Sequence, residues 1–176
     1  MELETRRLLL RPLRDEDAHA MALAGNNINV TRNLARVKNP YTVDDAAGFI
    51  QRQRSFDPRS RIFAIAFRCA PDELIGVVSY EVDDGGKFEF GYWLRECCWG
   101  MGLMKEAAKA VVRLAFDVDD IAELNSAFHD DNPASAKILF GLGFEATGHR
   151  PSFSLAQGRH VPCTQLRLTQ QKDRAS

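Results

Sequence analysis

A change of hydrophobic period inside one stretch, residues 87–116, constrains the fold more than any other feature of the sequence. Residues 87–94 alternate between an aromatic side and a mixed side, which is typical of a β-strand. After Gly102 the apolar residues recur at helical spacing, and the lysines and arginine fall outside that face. The stretch therefore predicts a strand, a glycine-bearing turn and a long helix in direct succession.

The turn in this stretch contains Gly100 and Gly102 where the helix must begin. The first turn of a helix leaves backbone N–H groups unpaired and carries partial positive charge, and glycines allow a phosphate to approach the backbone. The turn thus offers the donors and the charge that bind a pyrophosphate. A strand-to-helix connection that binds no ligand would have the same sequence pattern. It is not a Rossmann fingerprint, because Lys105 stands where the third glycine would be, and no Gly-Lys-Ser/Thr of a P-loop follows.

Length and charge limit the classes of function. The chain has 176 residues, enough for one domain with a full core, and we expect residues 1–176 to form that domain. The net charge of −1 argues against nucleic-acid binding. No apolar run is long enough to span a membrane, and the N-terminal residues lack a signal-peptide core, so a cytoplasmic location is expected.

The cysteine pattern predicts reduced thiols and no metal site. Cys69, Cys97, Cys98 and Cys163 form no C-x-x-C pair, and no histidine lies at a zinc-like spacing from them. Cys98 lies beside the turn and could act as a nucleophile, but a small residue packed beneath the turn is the favoured interpretation.

The rest of the chain predicts a mixed α/β or α+β domain in which helices cover a largely antiparallel sheet. A helix capped by Asp15 runs to Ala24, and others are predicted at residues 43–56 and from Pro133 onward. A turn is predicted at residues 70–73. Further strands are predicted at residues 5–13, 61–68, 74–82 and 122–129, with a final hairpin formed by 144–155 and 160–169.

Several short motifs, taken in order, resemble those of the GNAT acetyltransferase superfamily. They are TRRLLLRPLRDED near the N-terminus, GYWL followed by WGMGLMKEA, Asn-Pro-Ala-Ser at residues 132–135, and Leu-Gly-Phe at 142–144. The first two are similar to the branch that contains the ribosomal-protein alanine and serine N-acetyltransferases. The resemblance covers nearly the whole chain.

The resemblance implies that acetyl-CoA lies in a splayed gap between the strand at 88–94 and the strand at 122–129. The pantetheine arm would pair with backbone near Trp93, Leu94 and Arg95, and Asn132 would bond the pantetheine side. N–H groups of the turn would hold the pyrophosphate, from Cys97, Cys98, Trp99, Gly100, Met101, Gly102 and Leu103. Many relatives carry glutamine or arginine where this chain has Cys97, a departure of small cost because main-chain donors do most of the binding.

Amide formation from a thioester needs a base for the amine and a proton donor for the thiolate. Glu89 is the candidate base, since desolvation by its aromatic neighbours would raise its pKa. The alternative interpretation is a solvated carboxylate on the sheet surface. Glu81 and Glu145 are weaker candidates for the base. Ser135 is the candidate donor, because relatives of this branch carry serine there. The tyrosine used by many GNAT enzymes is replaced by Leu139, beside Phe140.

The resulting hypothesis is an acetyl-CoA-dependent N-acetyltransferase that acts by direct attack in a ternary complex on a primary amine, with a protein N-terminus as one candidate. The alternatives are a small-molecule acceptor (polyamine, amino acid or aminoglycoside) and a catalytically weak acyl-CoA-binding module. Residues 27–41 are expected to form a lid over the acceptor; their basic side chains suggest an acidic acceptor or a solvated surface. Whether the chain forms a homodimer stays open.

Overall fold

The computed structural model describes residues 1–53 and 56–170. Within them the strands are β1 (Leu3–Glu4), β2 (Leu8–Pro12), β3 (Arg61–Phe67), β4 (Ala70–Val82), β5 (Phe88–Leu94), β6 (Glu123–His129), β7 (Glu145–His149), β8 (Ser152–Ser154), β9 (Arg159–Val161) and β10 (Cys163–Thr169). The helices are α1 (Asp17–Gly25), α2 (Ile28–Thr31), α3 (Val43–Gln53), α4 (Leu103–Arg113) and α5 (Pro133–Gly141). A 3₁₀ turn at Glu96–Cys98 precedes α4, and a π-helical turn at Leu114–Val118 ends it.

One sheet carries eight strands in the order β1-β2-β3-β4-β5-β6-β10-β7, and β8 and β9 form a separate two-stranded ribbon. Neighbouring strands run antiparallel except β5 and β6, which are parallel. The expected mixed α/β class, with helices flanking a largely antiparallel sheet, is confirmed. In the described residues, no helix is both long enough and apolar enough to cross a membrane.

Two hydrophobic clusters cover the two faces of the sheet. Val77 lies in the cluster that α1 and α3 form with β3 and β4, whereas Val78 lies in the cluster of α4 and α5. Successive residues of a strand point to opposite faces, so the helix pairs lie on opposite sides. Among the described residues the α1–α3 cluster includes none from β6 or β10. The α1–α3 side of β6 and β10 is therefore left for other contacts.

The predicted turn at residues 70–73 is wrong. The chain turns at Arg68 and Cys69, and β4 already begins at Ala70. Two register shifts in the β3–β4 ladder, around Ala66, accommodate Pro71, which has no N–H to donate. The carbonyls of Pro71 and Asp72 instead accept from the guanidinium of Arg11. A long-range contact thus overrides the local turn signal.

Two other boundaries differ from the predictions. Glu16, rather than Asp15, precedes α1, and it makes no side-chain cap. Instead, the Asp17 carboxylate accepts from the Arg14 N–H, three residues earlier. The final hairpin is divided: β7 joins β10 in the main sheet, and β8 pairs with β9 as a separate ribbon around Gly158. The predicted helix 43–56 is confirmed to Gln53, and residues 54 and 55 lie outside the described residues.

Candidate active site

A gap opens between β5 and β6. The two parallel strands pair at one register position, Glu89 opposite Asn125. One residue further along, the Ser126 hydroxyl donates to the Phe90 carbonyl at 2.9 Å, so a side chain replaces the backbone ladder. Parallel strands that stay together form evenly spaced hydrogen bonds along their length. The carboxyl-terminal halves of β5 and β6 therefore separate and leave backbone groups of β5 without a strand partner.

The register of β5 shows which backbone groups face this gap. The Arg95 N–H donates to the Ile75 carbonyl at 2.8 Å, so the odd-numbered residues of β5 bond to β4. The N–H groups of Tyr92 and Leu94 consequently point toward β6. Of the three residues expected to bind a ligand through their backbone, Leu94 therefore has an N–H that faces the gap, whereas those of Trp93 and Arg95 face β4.

The turn after β5 adopts the conformation that its glycines permit. Gly100 and Gly102 have φ values of 75° and 71°, in the left-handed region that other residues rarely adopt. A Cβ added at Gly100 would meet nothing within 4 Å, so the backbone conformation itself requires glycine there. Trp99 and Met101 are 44% and 51% exposed on either side of Gly100. The turn thus presents its backbone to solvent.

The N-terminus of α4 follows this turn directly. The first N–H of the helix to bond back along the chain is that of Glu106, which donates to the Gly102 carbonyl at 3.2 Å. The N–H groups of Leu103, Met104 and Lys105 have no partner within the helix. Since Gly102 precedes the helix without a side-chain cap, these donors and the positive end of the helix dipole are open to an anion.

The paired cysteines beneath the turn have different environments. Cys97 is exposed and Cys98 is buried, with their Sγ atoms 3.9 Å apart. Burial raises the pKa of the Cys98 thiol to about 11. A thiol with such a pKa is protonated near neutral pH and is a poor nucleophile. The geometry therefore favours a packing role for Cys98.

The start of α5 brings Asn132 and Ser135 to the other side of the gap. The Asn132 Oδ1 accepts from the Ser135 N–H at 3.1 Å and so caps the helix. Its Nδ2 makes no hydrogen bond to any described residue and remains an available donor. Ser135 is partly buried, and its hydroxyl faces β5, where it meets the hydroxyl of Tyr92.

Tyr92 was not among the predicted site residues, but it contacts one of them. Its hydroxyl lies 2.9 Å from the Ser135 Oγ and also donates to the Ser135 carbonyl at 3.3 Å. Burial raises the pKa of Tyr92 to about 12, although the hydrogen bond to Ser135 opposes the shift. The phenol is therefore neutral at physiological pH and can donate. The alternation of β5 placed Tyr92 on the aromatic face, but no local signal joined it to a residue 43 positions away.

Glu89 lies on the opposite face of β5, on the same side as Gly91 and Trp93. Its side chain is 50% exposed, and its carboxylate bonds the Arg36 guanidinium at 2.7 Å. The desolvating aromatic surroundings expected from the sequence are absent, because the aromatic residues of β5 point mainly to the other face. Glu81 lies directly opposite Glu89 on β4 and accepts from Ser79 at 2.8 Å.

Glu145, the remaining candidate base, lies in β7 at the edge of the sheet. Strands β6 and β10 stand between it and β5. The structure therefore brings Glu81 and Glu89 together and leaves Glu145 apart from them.

Residues 27–41, called the lid segment below, contact both sides of the gap. Asn27 and Asn29 each donate to the Glu96 carboxylate in the turn after β5, at 2.6 and 2.8 Å. Arg32 bonds Asp131, which precedes the cap of α5, at 2.5 Å. Together with the Arg36–Glu89 pair, these contacts place the lid segment across the gap on the α1–α3 side.

His129 ends β6 beside this loop and is 5% exposed. Burial lowers its pKa, so the imidazole is neutral near pH 7. Its Nδ1 has no hydrogen-bond partner among the described residues. In the described parts of the chain, no group of three or more His, Cys, Asp or Glu side chains is arranged to hold a metal ion.

Comparisons with known proteins agree with this geometry. An uncharacterised N-acetyltransferase, p20 of Bacillus licheniformis, is 28% identical over 164 residues, which cover 90% of each chain. The structure superposes with a TM-score of 0.79 on the ribosomal L7/L12 α-N-protein acetyltransferase RimL in complex with CoA (19% identity, 98% of this chain and 100% of that one). It superposes equally well, at 0.79, on the Vibrio cholerae spermidine N-acetyltransferase in complex with CoA and spermine (20% identity, 96% and 98%). A family profile described as "Acetyltransferase (GNAT) domain" matches residues 7–145, and the chain belongs to that family of acetyltransferases.

Proposed function

We propose that the chain is a single acetyltransferase domain that transfers an acetyl group from acetyl-CoA to a primary amine. The observation that carries the proposal is the gap between β5 and β6, which leads directly to the positive-φ turn and the open N-terminus of α4. Backbone donors therefore continue from the gap into an anion site. This arrangement suits a long ligand that ends in a pyrophosphate.

The pyrophosphate would lie on the turn between Cys97 and Leu103, where the exposed N–H groups converge with the helix dipole. The pantetheine arm would follow the gap, where the Leu94 N–H and the Asn132 Nδ2 are the donors available to its amides. Two structural neighbours, RimL and the Vibrio cholerae spermidine N-acetyltransferase, were solved in complex with CoA, which supports this assignment.

The chemistry forms one C–N bond and breaks one C–S bond. The neutral amine attacks the thioester carbonyl, and a β5 backbone N–H stabilises the developing oxyanion. Glu89 accepts the proton that the amine loses, which requires Arg36 to move off its carboxylate. The Ser135 hydroxyl gives a proton to the leaving CoA thiolate and regains one from Tyr92 or water.

The acceptor would bind on the face that contains Glu89, beneath the lid segment. A protein N-terminus fits, because its single amine needs one base and an open approach. A polycationic small molecule is a second candidate, and the direct pairing of Glu81 with Glu89 favours it, since two opposed carboxylates attract a second positive charge. The lid segment is basic, so the carboxylates available to a polycation are those of Glu81 and Glu89 on the sheet.

The test of the function is thiol release from acetyl-CoA in the presence of N-terminal peptides, polyamines and amino acids. We expect turnover with at least one amine and an acetylated product of the matching mass. Acetyl-CoA binding without turnover on any amine would contradict the enzymatic assignment and favour an acyl-CoA-binding module.

The role of Glu89 is tested by Glu89→Gln, which keeps the size of the side chain but cannot accept the proton. We expect kcat to fall by about a hundredfold, with acetyl-CoA affinity unchanged. Glu81→Gln is the matched control, because it removes the facing carboxylate and leaves Glu89 in place. Wild-type rates for Glu89→Gln at every pH would exclude Glu89 as the base.

A further inference from the structure

The connection between β1 and β2 reaches the first turn of α4. Two groups of this connection bond one oxygen of the Glu106 carboxylate: the Thr5 hydroxyl at 2.6 Å and the Arg7 N–H at 2.8 Å. The Arg7 Nε donates to the other oxygen at 2.8 Å. The carboxylate, 17% exposed, is thus held from three directions by residues about a hundred positions earlier in the chain.

Arg7 also bonds the turn itself. Its Nη1 donates to the carbonyl of Met101 at 2.9 Å. This carbonyl belongs to the peptide unit that joins Met101 to Gly102. Because a trans peptide is planar, its N–H points away from its C=O. A carbonyl directed toward Arg7 therefore directs the Gly102 N–H away from Arg7, toward the open side of the turn.

This peptide unit needs such a restraint. Rotating it changes ψ of Met101 and φ of Gly102, and glycine populates positive and negative φ about equally well. The backbone alone thus permits the Gly102 N–H to point either outward or inward. The hydrogen bond from Arg7 selects the orientation seen in the structure, in which Gly102 has φ 71°.

Arg7 also offsets the charge of Glu106. A carboxylate in the first turn of α4 would repel an anion at the same helix end. Desolvation raises the Glu106 pKa, but hydrogen bonds from Thr5 and Arg7 outweigh it and lower the pKa overall, so the carboxylate is charged. The Arg7 Nη2 has no hydrogen-bond partner among the described residues and lies 3.8 Å from where a Cβ on Gly102 would stand. A free N–H donor of Arg7 therefore remains beside the turn.

We propose that Arg7 is a positioning residue of the acetyl-CoA site, which fixes the Met101–Gly102 peptide so that the Gly102 N–H faces the pyrophosphate. The inference rests on the proposed function and adds a residue from outside the strand–turn–helix unit. Arg7 acts through the turn, so it contributes to affinity for the nucleotide part of the cofactor and leaves the acyl-transfer chemistry unchanged.

The test compares Arg7→Met with Arg6→Met. Arg6 is the exposed neighbour, so its replacement removes the same charge one residue away without touching the turn. For Arg7→Met we expect calorimetry to show about a tenfold weaker Kd for CoA, and kinetics to show a higher KM for acetyl-CoA with unchanged kcat. Arg6→Met should match the wild type in both measurements.

Acetyl-pantetheine separates positioning from a general structural role, because it lacks the pyrophosphate. Arg7→Met should use acetyl-pantetheine as well as the wild type does, so the preference for acetyl-CoA over acetyl-pantetheine should shrink. An equal loss with both donors, or no loss with either, would overturn the inference. If Arg7→Met does not fold, Arg7→Lys keeps the charge but offers one nitrogen where Arg7 uses two to bond Glu106 and the Met101 carbonyl, so it should give a smaller loss of the same preference. An unchanged preference would overturn the inference. A wild-type protein that does not bind CoA would overturn the proposed function itself.

Discussion

At the scale of single residues, the proposed release of CoA depends mainly on two neighbouring hydroxyls, those of Tyr92 and Ser135. A serine that has given its proton to the thiolate is left as a strongly basic alkoxide and must take up another proton. The phenol 2.9 Å away can supply it, since its pKa, which burial raises to about 12, is still below that of an aliphatic hydroxyl. The two hydroxyls, one on β5 and one on α5, together form the proposed proton donor to the thiolate.

Ser135→Ala should lower kcat by about tenfold to a hundredfold and leave the Kd for acetyl-CoA nearly unchanged, because the serine acts on the leaving group. Tyr92→Phe removes the second hydroxyl and keeps the buried ring, so it should give a smaller loss of kcat. Steady-state kinetics together with calorimetry measures both effects. Wild-type kcat in Ser135→Ala would exclude the serine as proton donor.

The same pair predicts a pH profile. Burial raises the Tyr92 pKa to about 12, so the phenol stays protonated above its ordinary pKa and is lost as a donor only as the pH nears 12. Ionisation of Tyr92 should therefore cause no decline of the wild-type rate near pH 10. The wild type and Tyr92→Phe should have the same pH profile in that region. A decline at pH 10 present in the wild type and absent from Tyr92→Phe would contradict the buried environment of the phenol.

At the scale of the element, the proposed cofactor site depends on the turn between β5 and α4, and its glycines provide a matched comparison. Gly100 and Gly86 have φ values of 75° and 76°, and a Cβ on either would meet nothing within 4 Å. Gly86 lies in the hairpin turn between β4 and β5, outside the site. The two positions thus share backbone strain and differ in location.

Alanine at either glycine should lower the free energy of unfolding by about 1 kcal/mol, because an L-residue is strained in the left-handed region. Gly100→Ala should also weaken acetyl-CoA binding, whereas Gly86→Ala should not. Denaturant unfolding and calorimetry measure the two effects independently. Equal acetyl-CoA affinity in both variants would show that the turn does not hold the pyrophosphate.

At the scale of the whole molecule, a buried ion pair joins β2, α1 and the start of β4. Arg11 is 0% exposed and forms two 2.8 Å bonds with Asp17, which is 3% exposed. Arg11 also donates to the carbonyls of Pro71, Pro12 and Asp72, and Asp17 accepts from the Arg14 N–H. Each buried charge is therefore satisfied, which is the condition under which such a pair is tolerated.

Removing one member leaves the other buried and unpaired. Asp17→Ala should lower the free energy of unfolding by about 3–5 kcal/mol. The control is Asp72→Ala, which breaks the exposed Arg14–Asp72 pair and should cost less than about 1 kcal/mol. Urea unfolding of both variants measures the difference. A loss of similar, small size in both would contradict the structural importance of the buried pair.

Local signals predicted much of the fold. Three of these signals depend only on neighbouring residues: the period change after Gly102, the Asn132-Pro133 start of α5 and the alternation along β5. The structure contains the helix α4, the helix α5 and the strand β5 at these places. The mixed sheet also followed, since the order of elements restricts how they can pack.

The contacts that the sequence did not predict join residues of different elements. These contacts depend on how the elements pack, and no spacing along a single element predicts them. They are the contacts of Tyr92 with Ser135, Arg7 with Glu106, and Arg11 with Asp17. The misplaced turn before β4 has the same origin, because Arg11 holds the carbonyls of Pro71 and Asp72 in the strand.

The acetyl-CoA site is tested most directly by calorimetry of acetyl-CoA with the wild-type chain, with CoA and desulfo-CoA as controls. We expect micromolar binding of all three, because the nucleotide and pantetheine parts are common to them. No binding at millimolar acetyl-CoA would contradict this expectation, and the turn before α4 would then be a structural connection alone.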